Sequence, residues 1–244
     1  MYRFFVNRDF QDTMYIDGQD AHHITHVLRL KQGENIQIVS LDQVTAVMKI
    51  TGFKDSQVLL HVVETMDPNH EPSIAVTLLQ GLPKQDKMEW VIQKAVELGI
   101  HSVYPVMMEH SVVRLDADKA LKKQIRWKKI AEAAAKQSKR DIVPQVMVPQ
   151  PFRDGVQGCK ADLKIVAYEV EDTRGIRDVL HAHPEIHSAA FLIGPEGGIS
   201  KEEFSFLQEQ GWQSVSLGPR IMRTETAALA ALTAIMYETG NLGG

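Results

Sequence analysis

Cysteine is almost missing from this 244-residue chain. Cys159 stands alone, so no intrachain disulfide can form, and a reducing compartment is implied. Long apolar runs are missing as well; none nears the ~20 residues needed to cross a bilayer, so no membrane partner is expected. Residues 1–10 carry a charge every few positions and no apolar signal core, which predicts a cytoplasmic protein. Neither G-x-G-x-x-G nor G-x-x-x-x-G-K-[ST] occurs, which weakens a dinucleotide or nucleoside-triphosphate site. The net charge of −4 excludes a uniformly basic surface but leaves room for a local patch. His22, His23 and His26 have H-x-x-x-H spacing, but no nearby cysteine completes a ligand set. They are expected to cap or pack a helix, and no metal is expected.

What is present divides in two. Residues 1–66 have a mostly short period, with β-rich segments at 35–40, 45–51 and 57–63 and turn residues between them. Such short spacing leaves no room for crossover helices, so these strands should pair antiparallel as a small barrel or sandwich. One helix, 18–30, interrupts them. The polar stretch 67–72 holds Pro68 and Pro72 and reads as a linker, giving expected domains 1–70 and 73–244. Beyond it, continuous apolar runs at 74–79, 103–107, 163–168, 189–193 and 215–217 alternate with helical stretches at 84–98, 117–139, 174–182, 200–210 and 225–238. That alternation predicts an α/β domain with a parallel sheet covered on both faces.

Two loops carry chemistry. The run 189–193 enters Gly194-Pro195-Glu196-Gly197-Gly198, and a helix follows with Ser200 and Glu203 in capping-box spacing. Glycines at such a turn remove the Cβ atoms that would keep backbone N–H groups away from a ligand. A tight turn without a ligand is the competing reading. The second loop, 217–228, reads LGPRIMRTETAA, with Arg220, Arg223 and Glu225 beside a Gly-Pro turn. It leads into an alanine-rich helix whose low profile suits close packing. A third feature is electrostatic. Residues 119–140 hold nine Lys or Arg against the single acid Glu132, a local +8 that leaves −12 for the rest of the chain. A solvated face is the plain reading, and the contrast favours a phosphate-binding surface. Trp127, in the same segment, is expected in the core.

GPEGGIS and LGPRIMRTETAALAAL resemble the two carboxy-terminal motifs of the RsmE family of SPOUT methyltransferases. KQDKMEWVIQKAVELGI (84–100), EHSVVR (109–114), RWKKIAEAAAKQSKR (126–140) and HHITHVLRLKQGE (22–34) resemble the same family in order, so the likeness spans nearly the whole chain. One departure is visible: Lys136 stands where the family commonly has an acid before Gln-Ser, so no family role passes to that position.

The resemblance implies a SPOUT domain whose C-terminal chain forms a trefoil knot, an N-terminal PUA-like β-barrel, and a homodimer. It implies transfer of a methyl group from S-adenosylmethionine to N3 of a uridine in 16S ribosomal RNA, free or in the small ribosomal subunit. The cofactor would sit bent against main-chain groups, which nominates Gly194, Glu196, Gly197, Gly198, Leu217, Gly218, Ile221, Met222 and Ala227, with Leu79 and Gln80 at the first strand end. Uridine N3 must lose its proton to become nucleophilic, and the charge then spreads onto O2 and O4. Arg223 is the first candidate to stabilise that charge and Arg140, across a dimer, the second; Glu225 is a candidate base. Lys122, Lys123, Arg126, Lys129, Lys136 and Lys139, with Arg3, Arg29 and Lys31 in the first domain, are candidate RNA contacts. A different acceptor, such as a guanine nitrogen or a ribose 2′-hydroxyl, and a catalytically silent RNA-binding assembly factor remain alternatives.

Overall fold

The computed structural model describes residues 1–67, 70–169, 171 and 173–243, so Pro68 and Asn69 of the expected linker lie outside the described residues. The contacts group the chain into two compact units, residues 1–71 with 135–142 and residues 72–134 with 143–244.

The first unit is a five-stranded sheet in the order β1-β3-β4-β5-β2, with β1 at Arg3–Phe5, β2 at Thr13–Ile16, β3 at Asn35–Val39, β4 at Thr45–Lys54 and β5 at Gln57–Met66. Period-two alternation makes these strands. In β2 Met14 and Ile16 are buried while Thr13 and Tyr15 are not, and in β3 Ile36 and Ile38 face β4's Met48 and Ala46. The turn between β4 and β5 places Asp55 and Ser56 at φ 48° and 64°, the left-handed pair that a two-residue hairpin requires. The expected antiparallel pairing holds for β2 to β5. It fails for β1, which pairs parallel with β3, Phe4 opposite Ile38. The reason is length: β2 and a helix lie between them in the chain, ample for a crossover. That helix is α1 (Gly18–His22), which runs into a π-helical turn at His23–Val27 and buries Ala21 and Ile24.

The second unit is a seven-stranded, all-parallel sheet ordered β12-β10-β11-β6-β7-β8, with β9 also on β7. Its strands are β6 (Ala75–Gly81), β7 (Ser102–Met107), β8 (Gln145–Val146), β9 (Gln150–Pro151), β10 (Leu163–Ala167), β11 (Ser188–Ile193) and β12 (Gln213–Val215). Its helices are α2 (Lys87–Glu97), α3 (Ala117–Gln137), α4 (Phe152–Gly158), α5 (Ile176–His181), α6 (Lys201–Glu209) and α7 (Thr224–Glu238). The central strands are buried along their whole length, β6 from Val76 to Gly81 and β11 from Ala189 to Ile193, as a sheet covered on both faces demands. On one face Leu79, Val166, Ala190 and Leu192 pack with Phe206, Leu207 and Trp212. α7 lies against β6, β11, α2 and α5, and its Ala227, Ala228 and Ala231 are buried. The capping box forms as expected: Glu203 N donates to Ser200 Oγ at 3.2 Å and Ser200 N to Glu203 Oε2 at 3.1 Å. Trp127 is in the core at 3% exposure.

Candidate active site

Parallel sheets bind ligands outside the carboxyl ends of their strands, where loops diverge and backbone groups are free. Here three neighbouring strands, β12, β10 and β11, end at one cavity of about 600 Å³. That volume lies within the range of about 300–1,000 Å³ usual for small-molecule sites. Gly194, Pro195, Glu196, Gly198 and Ile199 form one wall, following β11. Ser216 to Thr224 form the facing wall, with Ala227 from the first turns of α7. Ala167, Tyr168, Glu169 and Glu171, after β10, form the third side.

The glycine turn is built for close approach. Gly198 adopts φ +76° and donates its N–H to Pro195 O at 3.0 Å. A Cβ on Gly197 would meet Cβ of His110 at 2.7 Å, and one on Gly194 would come within 2.9 Å of Ile199 Cγ1. In the opposite wall Gly218 has φ +100° and donates to Ser216 Oγ at 3.2 Å.

Buried polar bonds lock the two walls together. Thr224 Oγ1 donates to Gly194 O at 2.6 Å, and Gln80 Nε2 donates to Thr224 Oγ1 at 2.9 Å and to Gly81 O at 3.0 Å. Gln80 is fully buried, and its Oε1 has no partner among the described residues. Along the third side, Ser216 N donates to Arg174 O at 2.8 Å, and Tyr168 N to Val215 O at 3.1 Å. The chain at 215–216 is thus bonded to both Tyr168 and Arg174.

The cavity lining carries three carboxylates, Glu169, Glu171 and Glu196, and two guanidiniums, Arg220 and Arg223. The Ser214 hydroxyl, then that of Thr173, hold Glu171 down at a pKa of about 2, so it is ionised at any working pH. Glu196 sits below the usual carboxylate value: burial opposes this, but the Lys87 ammonium and the Lys84 N–H outweigh it. Lys87 is raised in turn, chiefly by its hydrogen bond to Glu196, and stays protonated. Glu169 and Glu171 give a cationic group of a ligand opposite charges to face.

The comparisons with known proteins agree with this geometry. Residues 69–236 match the family model of an RNA methyltransferase domain, and residues 16–63 that of an RNA methyltransferase PUA domain. The ribosomal RNA small subunit methyltransferase E of Bacillus subtilis is 40% identical over 254 aligned residues, covering all of this chain and 99% of the relative. This chain belongs to the ribosomal RNA small subunit methyltransferase E family. A crystal structure of the family's Neisseria gonorrhoeae member bound to S-adenosyl methionine superposes with a TM-score of 0.87 at 30% identity, covering 97% of each chain. A methyltransferase of Legionella pneumophila in complex with the bound cofactor SAM superposes with a TM-score of 0.86, also at 30% identity and 97% coverage of each.

Against this family frame, most of the nominated cofactor residues fall together. Gly194, Glu196, Gly198, Leu217, Gly218, Ile221, Met222 and Ala227 line the cavity, although Ile221 is 93% exposed. Gly197 packs against His110 beside it. Leu79 and Gln80 do not line it: Leu79 belongs to the apolar core, and Gln80 acts through Thr224. Arg223 lines the cavity and is exposed. Glu225 does not line it, and its carboxylate pairs with Lys87 at 3.2 Å. Arg140 belongs to the first unit, 3% exposed, with Nε donating to Glu71 at 3.1 Å.

The RNA candidates separate in the same way. Lys122, Arg126, Lys129 and Lys139 are exposed and Lys123 partly so, with Arg126 paired to Glu89 at 2.7 Å. Lys136 is drawn to Asp20 at 3.0 Å. Arg29 and Lys31 are exposed in the first unit. Arg3 is 5% exposed, its guanidinium donating to Lys139 O and Arg140 O at 2.6 Å and to Asp141 at 3.0 Å, so it braces the interior and offers RNA no face. His22 and His26 stack, with ring centroids 4.3 Å apart. Among the described residues no helix is long and apolar enough to cross a membrane.

Residue-by-residue reading missed Tyr168, Glu169, Glu171, Thr224 and Lys87. The first three had a usable signal, since they directly follow an apolar strand. Thr224 and Lys87 had none, because their roles depend on partners 30 and 109 residues away.

Proposed function

We propose that the protein methylates N3 of a uridine in 16S ribosomal RNA, using S-adenosylmethionine held in the cavity between residues 194–199 and 216–223. The observation that carries this reading is the cavity itself: two separate turns make one backbone-rich pocket at the strand ends, with Glu169 and Glu171 on its third side. When bound, the cofactor supplies a methyl group made electrophilic by its sulfonium. The residues present fit it, because Glu169 and Glu171 complement a cation and the glycine turns admit close main-chain contact.

The chain's own work is alignment and electrostatics. Uridine N3 would become a nucleophile once its proton passes to solvent water, and a cofactor held by residues 194–199 and 216–223 would supply the methyl group that N3 takes up. Arg223, on the cavity wall, stabilises the negative charge that the proton leaves on O2 and O4. Lys122, Arg126 and Lys129 recur at i, i+4 and i+7 of α3 and so share one face, spaced to follow RNA phosphates; Lys123 on the same helix and Lys139 in the first unit are further contacts. Arg29 and Lys31 add contacts from the first unit. Residues 1–70 serve as the RNA-binding domain and 73–244 as the catalytic one. The C-terminal chain forms the trefoil knot that the likeness to the methyltransferase family implies. The protein works as a homodimer in the cytoplasm, on free RNA or on the small ribosomal subunit.

The test is nucleoside mass spectrometry of 16S RNA from a deletion strain, with and without the restored gene. Loss and recovery of 3-methyluridine is expected. Loss of a methylated guanosine or ribose instead, or no change at all, contradicts the reading.

A further inference from the structure

The cavity's two walls share a second tether that the expected chemistry does not use. Lys87 Nζ lies 2.8 Å from Glu196 Oε1 and 3.2 Å from Glu225 Oε2, so one ammonium joins three elements. It is the first residue of α2, whereas Glu196 sits in the glycine turn and Glu225 in the first turn of α7. Glu196 is held again by the Lys84 N–H, 3.2 Å from Oε1 and 3.3 Å from Oε2. The side chains are 21%, 26% and 17% exposed, sheltered enough for the pairing to matter and open enough to stay charged.

We infer that Lys87 is a positioning residue for the cofactor site: it clamps Glu196 and Glu225 so that the glycine turn and the start of α7 keep the spacing the cofactor needs. This rests on the cofactor reading above and extends it. The clamp also changes what Glu225 does. Its carboxylate faces an ammonium rather than the cavity, so it is a strut and does not receive the uridine proton. Both carboxylates face one cation, which leaves Arg220 and Arg223 as the cations on the cavity lining. This salt link, from Glu196 on the cavity lining to Glu225 at the start of α7, joins elements that already share the Thr224–Gly194 bond, and so fixes separation and angle together.

Calorimetry with S-adenosylhomocysteine on the full chain tests the clamp, alongside steady-state methylation and a thermal melt. Lys87→Met should raise the dissociation constant and the cofactor KM about tenfold while kcat stays within about twofold, and Lys87→Arg should restore most of the affinity. Glu225→Gln should do the same as Lys87→Met, in smaller measure. If Lys87→Met or Glu225→Gln binds the probe as tightly as the wild type, the clamp is overturned. Collapse of kcat in Glu225→Gln at unchanged affinity overturns it too, and makes Glu225 the base. Should Lys87→Met not fold, the Lys87→Arg and Glu225→Gln arms decide. Wild-type protein that takes up no probe would count against the cofactor reading itself, which separates that failure from this one.

Discussion

The hydroxyl of Thr224 donates to the carbonyl oxygen of Gly194 across 2.6 Å, joining the last helix to the turn that follows β11. Thirty residues of chain separate the pair, and the cavity lies between their two segments. Because Gln80 Nε2 donates to the same hydroxyl from below, Thr224 is fixed in rotation as well as in place. A buried bond of this kind contributes modestly when made and costs more when one partner is removed.

Replacing Thr224 with valine keeps the shape but removes the Gly194 carbonyl's hydroxyl donor and one of the two acceptors of the Gln80 amide, which keeps only Gly81 O. Stability should fall by about 1–3 kcal/mol, the cost of unsatisfied buried groups. Cofactor affinity should fall with it. Thr224→Ser should recover most of both in denaturant melts and calorimetry. Equal stability of the valine variant would show that the bond holds nothing.

Arg223→Ala separates chemistry from binding. Arg223 is exposed on the cavity wall at the N-terminal edge of α7, so its removal should leave the fold and cofactor affinity largely intact. Turnover should drop by about 100-fold or more, as when a single charge-stabilising group is removed from a transition state. Unchanged turnover would remove Arg223 from the mechanism.

Salt dependence reads the face of α3. If Lys122 and Lys129 meet phosphates, each change to Gln should flatten the slope of log affinity against log salt by about 0.7–0.9 for 16S RNA. Filter binding across a salt series measures this directly. An unaltered slope in the double variant would return the segment to a merely solvated face.

How much of this was open to sequence reading depends on range. The Ser200–Glu203 capping box spans three residues and was legible as it stands, as was α2, whose Met88, Val91, Ile92 and Ala95 recur at helical spacing and are buried. α4 was not, because Gly155 and Gly158 dilute its helical signal; Gly155 is kept small by Val106, which a Cβ would meet at 2.5 Å. β1, three residues long, has too little pattern to announce a strand, still less a parallel one. The cavity was legible as two glycine-bearing turns after apolar strands. The bonds that bring those turns together were not, since Gln80, Lys87 and Thr224 act at sequence separations that no local period encodes.

Arg3 and Arg140 show the same limit from the other side. Both stood out as cations, yet Arg3 ends in a buried network with Asp141, which also accepts from Thr45 at 3.2 Å and His70 N at 3.1 Å. Burial pushes the Asp141 carboxyl up, but the His70 hydrogen bonds and the Arg3 charge outweigh it, and the folded value lies below 3.8. A lowered folded value means the stabilisation is present above the unfolded value of 3.8 and is lost as pH falls through the folded one. The first unit should therefore weaken below about pH 4. Hydrogen exchange at Phe4 and Phe5 should accelerate there, and Asp141→Asn should remove that acid dependence while lowering protection at neutral pH. Acid-insensitive exchange in the wild type would contradict this.

The most direct test of the whole account is a crystal structure of the protein grown with S-adenosylhomocysteine. The account predicts the ligand between residues 194–199 and 216–223, with main-chain contacts from both turns and Arg223 free to face an acceptor. Density for the ligand elsewhere, or a saturated crystal with that cavity vacant, would contradict it.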